Sequence, residues 1–146
     1  MKFLSAATSV LFNSLSVPVY AMFSAAHGIP LQPVPVQDYT LTFTCGRTLY
    51  PNGQIDFVLG RVYGTRRESR PYPMVFNKIS YGVSTTVYIF PLLPNFRLYS
   101  DEKNPKHFLV FTDDKLVLGG VYLEDTNEGR VFKPCYFPMR TRFLAT

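Results

Sequence analysis

Few residues of this sequence could carry out acid–base or metal chemistry. There are two histidines, His27 in a proline-rich stretch and His107 beside Lys106, without a cluster of ligands at metal-binding spacing. Three acidic pairs are most simply explained as solvated turn residues: Asp101-Glu102, Asp113-Asp114 and Glu124-Asp125. Phosphate-binding glycine loops and nucleophile elbows are absent. We therefore expect no metal, no cofactor and no conventional catalytic set.

Basic residues offer a second kind of chemistry, the neutralisation of phosphates. Several lie in predicted loops near aromatic side chains, which could stack on bases, and the candidate contacts for RNA or another partner are Arg66, Arg67, Arg70, Tyr72, Lys106 and His107. The formal net charge of +5 permits an anionic partner but does not require one. Ordinary solubilising surface charge explains the same residues, so RNA and protein partners both remain open.

The elements that would position these residues are mostly strands. Residues 39–45 alternate between apolar and threonine positions, which predicts a half-buried strand with Tyr39 and Cys45 on its buried face. Apolar residues at helical spacing between Ile55 and Tyr63 predict one helix, with Asn52 as N-cap and the polar face including Gln54. Further strands are expected over residues 72–77, 86–90, 96–99, 108–112, 116–123 and 130–135. This order predicts an α+β fold in which a single helix packs on an antiparallel β-sheet.

The first 21 residues have the composition of a secretion signal. One lysine precedes a mostly apolar stretch, and Val19-Tyr20-Ala21 is a small-x-small cleavage site. We expect a signal peptide over 1–21, a proline-rich leader over 22–37, either flexible or held against the domain, and one domain over 38–146. Export would place Cys45 and Cys135 in an oxidising compartment, which favours a disulfide between them over two free thiols. The expected product is a secreted monomer without a membrane span.

Four short motifs between residues 72 and 135 resemble, in order, those of the secreted fungal guanyl-type ribonucleases. The family's Tyr-Pro-His reads Tyr72-Pro73-Met74 here, and its Glu-Phe-Pro reads Ile89-Phe90-Pro91. Its Pro-x-x-x-Arg-Val-x-Phe run is matched, one residue shorter, over 105–111, and its Gly-Val-x-x-His over 120–124. A cysteine closes the pattern, as Cys135 does here. The resemblance implies a microbial ribonuclease-like fold.

The catalytic residues of that family are not matched. The family's general base, phosphate-binding arginine and general acid correspond to Ile89, Phe108 and Glu124, and its other histidine corresponds to Met74. Only Tyr72 is retained. Isoleucine cannot accept a proton, and phenylalanine cannot neutralise charge on a phosphate. The resemblance therefore implies a ribonuclease-like protein without ribonuclease activity.

The sequence also resembles the ribonuclease-like effectors of cereal powdery mildew fungi. It shares with them a ribonuclease-like pattern without the catalytic set, a secretion signal and the element Phe43-Thr44-Cys45. That element lies behind the leader here, rather than near the mature N-terminus. The resemblance implies a virulence or avirulence effector translocated into host plant cells. Its partner would be host RNA or a host protein, and an intracellular immune receptor could detect it.

Two other functions remain open on the sequence. An active secreted ribonuclease would need a displaced site, built from Tyr72, His107 and Glu124. A secreted β-rich module would instead bind a small apolar ligand or a surface protein and would have no affinity for RNA.

Overall fold

The computed structural model describes residues 29–62, 71–100 and 103–145. These residues form one helix and seven strands: β1 (Phe43–Cys45), β2 (Thr48–Tyr50), α1 (Asn52–Val62), β3 (Met74–Val75), β4 (Val87–Leu92), β5 (His107–Thr112), β6 (Val117–Thr126) and β7 (Gly129–Pro134). Strands β3 to β7 form an antiparallel sheet in chain order, and β1 and β2 form a hairpin. The described chain is therefore α+β, with one helix and an antiparallel sheet, as predicted. The predicted signal peptide and the candidate contacts Arg66, Arg67 and Arg70 lie outside the described residues.

The chain divides into two compact units, Met1–Gln32 and Pro33–Thr146. Residues 29–32 are the described part of the first unit, and there the Gln32 amide donates a 2.9 Å hydrogen bond to the Pro30 carbonyl. The second unit contains all the strands and the helix described above.

The last residues of the predicted leader are held within the second unit by backbone pairing. The Val36 amide donates to the carbonyl of Arg142 (2.9 Å), and the Leu144 amide donates to the carbonyl of Val34 (2.7 Å). The proline-free stretch that begins at Val36 supplies the amide donors that Pro33 and Pro35 lack. This part of the leader is thus attached to the C-terminal segment of the domain.

Gln37 attaches the same segment to the sheet. Its side-chain amide donates to the carbonyl of Val117 (2.8 Å), and its side-chain carbonyl accepts from the Val117 amide (2.9 Å). Val117 is the first residue of β6, and its side chain is buried. One glutamine therefore satisfies both backbone groups of a buried strand terminus, where unpaired groups would be costly.

Helix α1 begins one residue earlier than the predicted cap implies. The Pro51 carbonyl accepts from the amides of Gln54 (3.0 Å) and Ile55 (3.1 Å), so Pro51 occupies the N-cap position. The Asn52 side chain does not cap the helix, and instead donates to the Asp38 carbonyl (3.1 Å). Gln54 was expected on the polar face but is buried, because its amide donates to the Leu93 carbonyl (2.6 Å). The apolar stripe does face the core, as predicted: Ile55, Val58 and Val62 are buried.

The predicted strand over 39–45 is shorter in the structure. Asp38 accepts hydrogen bonds from the backbone amide and the hydroxyl of Thr40, which holds residues 38–40 in a turn. Tyr39 is therefore 86% exposed instead of buried, whereas Phe43 and Cys45 are buried as expected. The turn Gly46–Arg47 then reverses the chain into β2, which the sequence did not predict. Gly46 has a φ of 60°, as the first position of a two-residue hairpin turn can require.

One further prediction is wrong. Residues 96–99 form no strand, because Asn95 and Phe96 both adopt left-handed backbone conformations (φ 62° and 58°) that end the extended chain.

The core lies between α1 and one face of the large sheet. Buried side chains of β4 and β5 pack with those of the helix and the hairpin: Phe90, Leu92, Leu109 and Phe111 with Phe43, Tyr50, Ile55, Val58 and Val62. Because side chains alternate along each strand, the neighbouring residues Ile89 and Phe108 belong to the opposite face of the sheet.

The disulfide between Cys45 and Cys135 joins β1 to the chain immediately after β7. Its Cα–Cα distance is 4.6 Å, and both cysteines are buried. Beside it, Thr44 and Tyr136 exchange two backbone hydrogen bonds of 2.8 Å. The predicted disulfide is confirmed, and it is compatible with a secreted protein.

Candidate functional site

Of the four positions that the ribonuclease resemblance matches to catalytic residues, three lie on the sheet face opposite the helix. Met74 pairs with Ile89 across β3 and β4, and Ile89 pairs with Val110, which alternation places on the same face as Phe108. Ile89 is 4% exposed and Phe108 2% exposed, whereas Met74 is 41% exposed. At Ile89 and Phe108 the site is therefore both apolar and largely closed to solvent.

Aromatic rings pack over this face. Phe108 lies 5.9 Å from Tyr72 and 5.8 Å from Phe132 between ring centroids, and Phe132 lies 5.0 Å from Phe76. We refer to Tyr72, Phe76, Phe108 and Phe132 as the aromatic cluster. The Phe76–Phe132 and Phe108–Phe132 pairs have the edge-to-face geometry that stabilises packed rings. A ring cluster of this kind offers no group that could accept a proton at Ile89 or balance a negative charge at Phe108.

Glu124 does not lie with these residues. It follows Tyr122 by two positions in β6, so alternation places it on the face that includes His107, not the face that includes Phe108. Its carboxylate forms a 3.2 Å ion pair with Lys133, and both side chains are about half exposed. The structure therefore separates the fourth corresponding position from the other three.

The predicted RNA contacts are also divided between the two faces. Tyr72 belongs to the aromatic cluster, where burial raises the pKa of its hydroxyl and the neighbouring Tyr99 raises it further. Lys106 is exposed. His107, the first residue of β5, is half buried, and its side chain belongs to the helix-side face. Tyr72 also contacts Phe90 and Tyr99 of the helix-side core, at 6.5 and 5.4 Å between ring centroids, so its ring touches residues of both faces. The contacts described for Tyr72 include neither His107, which is bonded to Tyr50, nor Glu124, which is paired with Lys133.

His107 is held by a buried tyrosine. Its Nδ1 lies 2.8 Å from the Tyr50 hydroxyl, and the two rings meet edge to face at 5.7 Å. Burial raises the pKa of Tyr50 to about 12, so its hydroxyl keeps its proton, and we assign it as the donor to Nδ1. Burial, and secondarily the charge of Lys106, lowers the pKa of His107. A neutral His107 with Nδ1 as acceptor carries its hydrogen on Nε2.

The structure brings further residues to His107 that sequence reasoning missed. His107 pairs directly with Tyr122 across β5 and β6, and Tyr122 pairs with Lys133 across β6 and β7. The three residues form one row on one face of the sheet. Tyr136, 67% exposed, hydrogen-bonds the Tyr122 hydroxyl. No local pattern in the sequence could have identified this row, because its members belong to three strands.

The turn of the β1–β2 hairpin also reaches His107. A Cβ placed on Gly46 would lie 3.9 Å from Nε2 of His107, and the next residue is the exposed Arg47. The Lys106 carbonyl accepts from the Leu123 amide (2.9 Å), which holds the start of β5 against β6. Exposed cations from two parts of the chain, Arg47 and Lys133, therefore flank the His107 row, whereas alternation places the Lys106 side chain on the opposite face.

No protein-family model matches this chain, and no curated relative matches it either. Among residues 29–62, 71–100 and 103–145, no group of three or more His, Cys, Asp or Glu side chains is arranged to hold a metal ion. In the same part of the chain, no helix has the length and hydropathy of a membrane span.

Proposed function

We propose that this protein is a secreted, non-enzymatic effector with a ribonuclease-like fold, which acts inside host plant cells by binding host RNA without cleaving it. If RNA does not bind, the partner is a host protein. The host could detect the effector through an intracellular immune receptor.

The burial of Ile89 and Phe108 is the observation that carries the non-enzymatic part of this proposal. The resemblance places the family's general base and phosphate-binding arginine at these two positions. Here both are apolar, and Phe108 is packed by Tyr72 and Phe132. General-base catalysis needs a titratable group within hydrogen-bond reach of the hydroxyl that it deprotonates, and transition-state stabilisation needs a cation or donors at the phosphate. Ile89 and Phe108 provide neither.

The secreted part of the proposal has two supports. The first 21 residues have the pattern of a signal peptide, and the buried disulfide is of the kind that persists in oxidising compartments. The structural role of the disulfide agrees with this, since it joins the N-terminal hairpin to the end of the sheet.

The decisive experiment combines binding and cleavage in one sample. Fluorescently labelled single-stranded RNA would be titrated with the oxidised protein at two salt concentrations, and the RNA would then be examined on a denaturing gel. We expect the anisotropy to rise with protein concentration, and to rise less at the higher salt concentration. We expect the RNA to remain full length on the gel. A guanyl-specific ribonuclease of the fungal family serves as the positive control for cleavage.

Two results would overturn the proposal. Shortened RNA with the wild-type protein, lost in His107→Ala, would mean an active ribonuclease with a displaced site. Flat anisotropy at both salt concentrations would exclude RNA as the partner. Expression of the mature chain in cereal leaf cells tests the effector role separately, and we expect reduced immune responses there compared with an unrelated disulfide-bonded control protein.

A further inference from the structure

We infer that RNA binds on the helix-side face of the sheet, at a surface formed by Arg47, His107, Tyr122, Lys133 and Tyr136, and not at the face that corresponds to the family's catalytic cleft. We call these five residues the basic–aromatic surface. The inference rests on the proposed function, because it assigns a place to the RNA binding proposed above.

The positive charge of this surface comes from separate elements that the fold brings together. Arg47 lies in the β1–β2 turn and Lys133 in β7, and both are exposed. The approach of Gly46 to Nε2 of His107, and the row that joins His107 through Tyr122 to Lys133, bring these two elements to one histidine. Exposed cations at one surface are the feature that gives affinity for a phosphate backbone.

The central row supplies a donor and a ring between these cations. With Nδ1 occupied by the Tyr50 hydroxyl, Nε2–H of His107 is the hydrogen left to donate to a phosphate oxygen. From His107 through Tyr122 to Lys133 the row crosses two strand spacings, about 10 Å, so it can contact more than one position along a strand of RNA.

Aromatic side chains border the row and suit an unpaired base. Tyr136 is 67% exposed and Tyr122 half buried, and they are joined by a hydrogen bond between their hydroxyls. Exposed rings beside a basic groove are the usual arrangement in proteins that bind single-stranded nucleic acid. The aromatic cluster on the opposite face differs in this respect, since its Phe76 and Phe108 are already buried against other rings.

Glu124 is the one residue that opposes binding at this surface. Its carboxylate neutralises Lys133 and would repel a phosphate. Removal of this charge should therefore strengthen binding, whereas removal of the cations should weaken it. Two changes with opposite expected signs test the same surface.

The experiment compares three forms of the full oxidised protein with wild type, using labelled oligouridylate as the probe. The first carries Arg47→Ala and Lys133→Ala together. We expect binding at low salt to weaken at least about fivefold, and the slope of log affinity against log salt to decrease by about 1.4. The second, Glu124→Gln, should bind about two- to fivefold more tightly, because an exposed ion pair of this kind is worth at most about 1 kcal/mol.

The third form is a charge-matched control with Lys78→Ala and Arg130→Ala. It loses the same formal charge at positions outside the basic–aromatic surface, and should keep most of the wild-type affinity. Circular dichroism and thermal unfolding of each form verify that it is folded before binding is compared.

The outcomes separate the site from the function. If the first variant keeps wild-type affinity, or if the control loses affinity equally, the site is overturned and the proposed function stands. Absence of wild-type binding would overturn both, and the same surface would then be tested against host proteins. Unchanged or weaker binding by Glu124→Gln would also contradict the site.

Discussion

Substitution of Gly120 by alanine tests the packing around the disulfide. Gly120 lies in β6, and a Cβ at this position would overlap Cε1 of Phe43, while lying 2.9 Å from Cδ1 of that ring and 3.0 Å from Sγ of Cys135. Neither neighbour can easily move. The Phe43 ring is fully buried between Tyr50 and Phe137, and the cysteine sulfur is fixed in the disulfide.

The size of the effect follows from this overlap. Overpacking of a well-filled core by added methylene groups typically costs about 1–3 kcal/mol, and we expect the upper end, about 3 kcal/mol, because both neighbours are held in place. For a unit of about 110 residues, an unfolding entropy of about 2.1 cal/mol/K per residue converts this into a decrease in Tm of about 13 °C. Differential scanning calorimetry of the oxidised protein measures the shift directly.

Gly60→Ala is the matched control, since it adds the same methyl group elsewhere. Gly60 lies in α1, and its added Cβ would have no atom within 4 Å. Because alanine is the better helix former, this variant should be more stable by up to about 1 kcal/mol. A Gly120→Ala protein with wild-type Tm would refute the packing argument, and so would equal destabilisation by the two substitutions.

Three further predictions concern stability. Replacement of Cys45 and Cys135 by alanine should lower the free energy of unfolding by about 4–5 kcal/mol, which is the chain-entropy value for a separation of 90 residues. Urea denaturation measures this loss, and a loss below about 1 kcal/mol would contradict the prediction. Gln37→Ala should lower the free energy of unfolding by about 1–3 kcal/mol, because it leaves both backbone groups of Val117 without their side-chain partner. Gln32→Ala, which loses an exposed local hydrogen bond, should leave that free energy almost unchanged in the same denaturation assay. The lowered pKa of His107 means that the unfolded chain takes up a proton first as the pH falls, so this residue should make the protein less stable below about pH 6.5 and have no effect above it. Denaturation at several pH values should show a smaller loss of stability at low pH in His107→Gln than in wild type. An identical pH dependence in the two proteins would disprove this prediction.

Much of the architecture could be predicted from local sequence pattern. The apolar residues at helical spacing indicated the buried stripe of α1, and the alternating or apolar runs indicated β4 to β7, because each pattern reflects a single element with one buried face. Two cysteines in a chain with a signal-like N-terminus were sufficient to predict their pairing. These features depend on residues that are neighbours along one helix or strand, or on the chemistry of a single pair.

Other features depended on contacts between distant segments. Hairpin strand β2 has only three residues, too few to show a pattern, and the exposure of Tyr39 follows from the turn at Asp38 and not from the alternation that includes it. Gln54 is buried because the Leu93 carbonyl is there to accept its amide, which no helical pattern could reveal.

The candidate site divides in the same way. The motifs that resemble those of the ribonucleases showed apolar residues, Ile89 and Phe108, where those enzymes have catalytic groups, but the burial of both residues required the folded sheet. The basic–aromatic surface was not foreseeable, because its residues belong to a turn and three strands that only the register of β5, β6 and β7 and the disulfide-linked hairpin bring together. The sequence by itself thus determined the buried stripe of α1, the strands β4 to β7 and the apolar residues at positions 89 and 108. Tertiary structure alone decided which charged and aromatic side chains share a surface, since that depends on how strands pair and not on the order of residues within them.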